Sequence, residues 1–212
     1  MTASEVVLGF DPGGQKSFGW AVCESIAGRL RVRKTGLTSN AVEAVTAVLP
    51  DSRVVAAGID APMFWGQTGS RTADDLVRKA LAQRGHPNAS GTVQSVNSLW
   101  GACLVQGVLL GKMLHQHCPD AAITEAHPKA LLWLLEIATP VRPERNVTLQ
   151  DLSELVDVTE ANVSDHERDA VLAALAAWSM WRGSSDWRNL YEDEPDPVQP
   201  FGTPVSYWMP HL

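Results

Sequence analysis

Three short apolar runs in this chain end on an acid. The run VVLGFD closes on Asp11, VVAAGID closes on Asp60 before a proline at position 62, and AITE closes on Glu125. Each has the length and the Val/Ile content of a strand. In an α/β sheet ligands gather at the carboxyl ends of strands, so three strands of this kind bring their acids to one edge. Buried without partners, such carboxylates repel one another and resist leaving water. A hard cation resolves the conflict, because Mg²⁺ and Mn²⁺ take carboxylate oxygens, and a pair of them can clamp a phosphodiester during in-line attack.

The rest of the chain supplies the elements around those strands. EVVLGFD, SFGWAVCES and RLRVRKTGL read as a β-meander; in the third, Leu30 and Val32 alternate with Arg29, Arg31 and Arg33, the period of a strand with one wet face. Gly13 and Gly14 of the first turn can supply positive φ. NAVEAVTAVL reads as a helix capped by Asn40 and stopped by Pro50, and SRTADDLVRKALAQ as an amphipathic helix. An apolar stretch from Ser98 to Gly111, following Asn97, reads as a buried core helix. It falls short of the roughly 20 residues that cross a bilayer. Pro128 opens the helix PKALLWLLEI, and TLQDLSELV is a short helix with Thr148 and Asp151 as its cap.

The last helix starts at the S-x-x-E box of Ser164 and Glu167, ahead of RDAVLAALAAWSMW. Asp165 and Asp169 are four residues apart on that helix and share a face. Asp169 enters an apolar stretch, and its neighbour Arg168 is expected to point elsewhere, so Asp169 calls for a cation. The alternatives are local. DPGG is a common turn, Asp60 can cap a loop, and Asp165 suits a helix N-terminus whatever its function.

With 212 residues and 45% apolar composition, residues 1–183 are expected to form a single domain with a helical insertion at about 63–120. The Pro-, acid- and aromatic-rich tail 184–212 is expected to fold back through Phe201, Tyr207 and Trp208. No basic segment with a long apolar run opens the chain, which predicts a cytoplasmic protein away from membranes. Cys23, Cys103 and Cys118 lack metal-ligand spacing and read as buried thiols. Residues 1–91 carry 10 Lys and Arg against 8 acids, and residues 92–212 carry 7 against 16, giving halves of +2 and −9. An acidic chain is ill suited to long duplex DNA, because sequence-independent affinity comes from neutralising phosphates. A short or structured nucleic acid remains compatible.

The order GFDPGG…GWAV, GIDAP, SRTADDLVR, TEAHPKA and DHERDAVLAALAAW resembles domain-of-unknown-function family 429, predicted nucleases of the RNase H-like fold. The resemblance spans about Val6 to Trp181. It implies an α/β fold with a mixed five-stranded sheet, its first three strands antiparallel, flanked by helices. It also implies metal on Asp11, Asp60 and an aspartate of the last helix, as in RuvC-like members of that superfamily, and it matches Glu125 and His127 to an E-x-H-P segment.

The leading reading is a metal-dependent nuclease. Asp11, Asp60, Glu125 and Asp169 would be catalytic, and Asp11, Asp60, Asp165 and Asp169 would hold Mg²⁺ or Mn²⁺. Arg71, Arg78 and Lys16 would hold substrate phosphate. His127 and His166 are candidates for further ligands or proton shuttles. Two other readings stay open: a non-catalytic binding module on the same fold, and an ATP-handling protein of the actin and sugar-kinase type, which a chain of this length suits poorly. The oligomeric state stays open as well.

Overall fold

The computed structural model describes residues 5–49, 53–66, 71–94, 102–158, 163–195, 197–198 and 205–211. The N-terminal meander is β1 (Glu5–Asp11), β2 (Phe18–Ile26) and β3 (Arg29–Thr38), followed by α1 (Ala41–Val48) and β4 (Arg53–Ile59). Then come β5 (Trp65–Gly66), α2 (Thr72–Gln83), the single turn α3 (Ala89–Thr92), α4 (Ala102–His117), β6 (Ala122–Glu125) and α5 (Pro128–Leu134). The chain closes with β7 (Val156–Asp157), α6 (Asp165–Arg182), β8 (Trp187–Asn189), β9 (Pro197–Val198) and β10 (Ser206–Pro210).

One sheet of eight strands runs in the order β7-β3-β2-β1-β4-β6-β10-β8, and β5 pairs separately with β9. Its centre, β3-β2-β1-β4-β6, has the first three strands antiparallel and β1, β4 and β6 parallel. That is the α/β arrangement the resemblance implies. The expected count of five is corrected to eight. The additional strands β7, β8 and β10 are two, three and five residues long, too short or too proline-bounded for a period of two to register in the sequence.

Local chemistry sets the element ends as expected. Asn40 Oδ1 accepts from the Glu43 backbone N–H at 2.9 Å. At the start of α6 the Ser164 hydroxyl oxygen accepts from the Glu167 N–H at 3.2 Å, while a Glu167 carboxylate oxygen accepts from the Ser164 N–H at 2.9 Å. The helix ends at Gly183 with φ 62°. Positive φ in the first hairpin falls on Lys16 (φ 60°), not on Gly13 or Gly14. The helix expected from Thr148 is one 3-10 turn, Leu149–Leu152, whose Thr148 N–H is held by Asp151 at 2.8 Å. Cys23 is buried, whereas Cys103 and Cys118 are only partly so.

Helix α6 lies directly on β1, β2 and β4 through its alanines. An added Cβ at Gly9 would stand 1.8 Å from the Ala170 carbonyl oxygen, and one at Gly58 would stand 1.9 Å from that of Ala173. Backbone therefore packs on backbone, and Ala170, Ala173, Ala174 and Ala177 are fully buried. On the other side α1 meets α4, where the Gln106 side-chain oxygen accepts from the Ala41 N–H at 2.9 Å. The expectation that α4 is a buried helix is corrected: Val105 is 65% exposed and Leu109 is also exposed. An apolar helix with one neighbouring layer leaves its far side bare. Asn97 and Phe201, with the stretch 98–101, lie outside the described residues. In the tail, Tyr207 is buried on β10 and Trp208 is half-buried. Among the described residues no helix is long and apolar enough to cross a membrane.

The contact of α6 with the sheet yields a graded test. Gly9→Ala and Gly58→Ala are each expected to lose about 3 kcal/mol by overpacking, a fall in Tm of about 6–12 °C for a domain of this size. Gly14→Ala, where the added Cβ meets nothing within 4 Å, should stay within about 0.5 kcal/mol of the parent protein. Thermal melts of the three variants check the ranking.

Candidate metal and phosphate site

Parallel pairing fixes where the acids stand. Phe10 is in register with Ile59, and Ile59 with Glu125, so Asp11, Asp60 and Glu125 emerge at one edge of the sheet. The Asp60 N–H donates to the Phe10 carbonyl at 2.9 Å, and the Ala126 N–H donates to that of Ile59 at 2.8 Å. These bonds carry the pairing past the strand ends and hold the three acids side by side. The close seat of α6 adds Asp169, which is 3% exposed, from above the sheet.

The acids differ in their counter-charges. Asp11 lies 2.6 Å from His166 Nδ1 through Oδ2, and this contact raises the imidazole's pKa despite partial burial. Asp169 is met by Arg168, whose Nε and NH2 donate to Oδ1 at 2.9 and 2.6 Å. The expectation that Arg168 points elsewhere is therefore wrong. The long side chain turns back along α6, and its NH1 is anchored on the Val147 carbonyl at 2.7 Å. Burial still outweighs the arginine, raising Asp169 to about 6.

Asp60 has no such partner. Among the described residues no donor bonds its carboxylate; His127 Nδ1 is 3.9 Å away. Burial first, then the charges of Asp11 and Asp169, push its pKa well above the ordinary carboxylate range. His127 itself is shifted down by burial, which outweighs Glu125, so its ring is neutral at neutral pH.

Glu125 has a separate role. It is fully buried, and Arg71 donates from NH1 to Oε2 and from NH2 to Oε1, both at 2.7 Å. The Met63 N–H donates to Oε2 at 2.9 Å. Arg71 also grips Asp74 through Nε and NH2 at 2.8 and 2.6 Å, and its guanidinium lies 4.6 Å from the ring of Phe64 and 5.6 Å from that of Tyr207. Asp74, Glu125 and His127 bring ligand atoms within 4.8 Å of one another. That acidic cluster already encloses a cation, the Arg71 guanidinium, so the chemistry of the donor set does not favour a metal there. Asp11, Asp60 and Asp169 are not all drawn together to that distance.

The structure places the residues expected to hold phosphate outside the cleft. Arg71 is 1% exposed and turned inward to two carboxylates. Arg78 pairs with Asp75 and donates to the Val93 carbonyl at 3.0 Å. Lys16 stands on the exposed hairpin, its backbone N–H 3.3 Å from the Ser39 hydroxyl, and none of the three lines the cleft beside the acids. That cleft, of about 540 Å³, is lined by Asp11, Asp60 and Asp165 together with His127, Lys129 and Arg145. Sequence reasoning missed Lys129 and Arg145. The adjacency of Lys129 to the E-x-H-P segment was the available signal for the first; nothing local marks the second. Cys103 also borders the cleft, and its thiol is pushed up to about 12 by burial and then by Asp60, which leaves it protonated.

Topology and site together describe an α/β protein with a mixed sheet, its first three strands antiparallel, and an acidic cluster at one sheet edge. The model of a family described as "Protein of unknown function (DUF429)" matches residues 9–99, and the chain resembles that family over this stretch. Among solved structures, the RuvC structure from Thermus thermophilus is similar with a TM-score of 0.43 and 13% identity, covering 84% of this chain and 97% of that one. No curated protein sequence matches.

Two measurements test the electrostatics. Arg71→Met leaves Asp74 and Glu125 buried without their cation and should cost about 3–5 kcal/mol, read as a fall in Tm. Asp60 behaves in the opposite sense. Its raised pKa means the folded, metal-free state binds more protons than the unfolded one, so stability falls as pH rises from the ordinary carboxylate range through the raised value. Asp60→Asn removes that loss. In chelator the variant should melt above the parent protein near neutral pH, with the gap closing toward acid; a variant less stable at neutral pH contradicts this.

Proposed function

We propose that the chain is a metal-dependent phosphodiesterase acting on nucleic acid, a nuclease, with Asp11, Asp60 and Asp169 holding Mg²⁺ or Mn²⁺ and Asp165 at the rim. One observation carries the reading: among the described residues the Asp60 carboxylate, beside Asp11 and Asp169, has no donor, and it lies in a cleft open to substrate. The hard oxygen donors fit such an ion, since the free oxygens of Asp11 and Asp169 and both of Asp60 remain available once His166 and Arg168 are satisfied. When bound, the ion supplies charge neutralisation and Lewis acidity toward a phosphoryl oxygen and water.

The chain's own residues do the rest. Arg168 keeps Asp169 in one orientation through Oδ1, which leaves Oδ2 without a hydrogen bond among the described residues. His166 does the same for Asp11. Glu125 is a positioning residue: through Met63 N–H and Arg71 it locks the segment after β4 against β6, which fixes Asp60. The neutral His127, between Asp60 and Glu125 and facing the cleft, is placed to accept a proton at Nδ1 from the attacking water. Fixing acids on strands and a packed helix preorganises the site before substrate arrives.

Cleavage assays with Mn²⁺ against labelled single strands, hairpins, branched DNA, RNA and long linear duplex test this. Cleavage of the short or structured substrates, abolished in Asp60→Asn, is the expected outcome. Activity that survives in Asp60→Asn contradicts the mechanism, dominant degradation of long duplex contradicts the substrate class, and binding without cleavage supports a non-catalytic module.

A further inference from the structure

With Arg71 and Arg78 committed elsewhere and the cleft-lining Arg168 paired with Asp169, the cleft's cations without a paired acid among the described residues are Lys129 and Arg145. Both are exposed, both line the cleft that holds Asp11 and Asp60, and among the described residues neither forms a hydrogen bond or an ion pair. Lys129 is close enough to Asp60 and Asp169 for its charge to offset a small part of the rise that burial gives them. It does so from the first turn of α5, next to His127. Arg145 stands on the 3-10 turn Glu144–Asn146. That turn is held in place because its neighbour Glu144 accepts from the Trp133 indole N–H at 3.0 Å, and the Glu144 carbonyl accepts from Arg168 at 3.1 Å. The two free cations therefore sit on supported backbone, and Arg168 ties the second of them to the acid cluster.

One wall of the cleft is neutral and polar. Asn88, Gly91, Thr92 and Gln94 border the cleft there, on and beside α3, which is held by His86, whose Nε2 is 2.9 Å from the Thr92 hydroxyl and whose ring packs at a tilt of 53° against Trp133, 4.5 Å between centroids. Amides and a hydroxyl of this kind suit the edges of a base or a sugar, not a phosphate. A cleft of about 540 Å³ is in the size class of small-ligand pockets, roughly 300–1,000 Å³. It admits a splayed nucleotide or two, and it excludes a stacked and paired duplex.

Building on the nuclease reading above, we propose that Lys129 and Arg145 hold the phosphates flanking the scissile one, and that the cleft takes an unpaired segment of nucleic acid. Two cations beside several acids give local attraction without long-range pull on a polyanion. The flanking phosphates engage the cations only when the strand is lifted out of a helix.

Binding of a fluorescent single-stranded oligonucleotide, and of the same sequence as a blunt duplex, tests this in the Asp60→Asn background with Mn²⁺ present. Lys129→Gln and Arg145→Gln are each expected to weaken single-strand binding about tenfold and to reduce the salt slope by about 0.7. Arg53→Gln, which removes an equal charge at a site paired with Glu5 far along the chain, should change neither. Melts of each variant confirm that the fold is kept. Equal binding by all three variants, or an equal loss in Arg53→Gln, overturns the role of the two cations, and duplex bound as tightly as single strand overturns the unpaired segment. These outcomes leave the nuclease reading standing. Failure of every nucleic acid to bind, with Mn²⁺ still raising the Tm of the parent protein, overturns the inference and the nucleic-acid reading together while keeping the metal site.

Discussion

The backbone contact of α6 with the sheet is the constraint on which the site depends. Glycine at positions 9 and 58 lets the alanine face of the helix lie against β1 and β4 with no side chain between. Interiors packed at this density transmit small displacements instead of absorbing them. Asp169 and His166 are carried on the same helix as that face, so their approach to Asp11 and Asp60 is set by the fit of helix on strand. A helix held off by one methyl layer would leave the strand-end acids facing solvent and the helix acid facing nothing.

Once gathered, the acids are settled by four different arrangements. Glu125 and Asp74 share the buried Arg71, a network stable as a whole and costly to break in part. Asp169 has Arg168, Asp11 has His166, and Asp60 is left with its neighbours' repulsion. The uneven distribution divides the edge into an inner scaffold whose two carboxylates are held by one arginine and an outer site that still calls for positive charge. It also explains why the atom set that clusters most tightly, around Glu125, is scaffold, and why the looser set is the better candidate for a metal.

Much of this was legible in the sequence because it is locally encoded. Strand ends at Asp11 and Glu125, the caps at Asn40 and Ser164 and the proline opening α5 depend on a few neighbouring residues, and the structure places them as expected. The pairings that redirect charge are not local. Arg71 reaches Glu125 across 54 positions, so nothing near it in the sequence marks that partner, and its charge reads as meant for phosphate. Arg168 and Asp169 are sequence neighbours that helix geometry separates, and a long flexible side chain closes the gap. The edge strands β7, β8 and β10 are too short to show a period, and the exposed side of α4 was hidden because composition alone does not say how many layers cover a helix.

The central claim is that the open end of this edge, and not the Arg71 pocket, is the cation site. A crystal of the protein soaked in Mn²⁺ tests it most directly, through the positions of anomalous density peaks. The account predicts density bounded by Asp11, Asp60 and Asp169, with Arg71 still seated between Asp74 and Glu125. Density bounded by Asp74, Glu125 and His127 with Arg71 displaced, or no density at this edge at all, would contradict it.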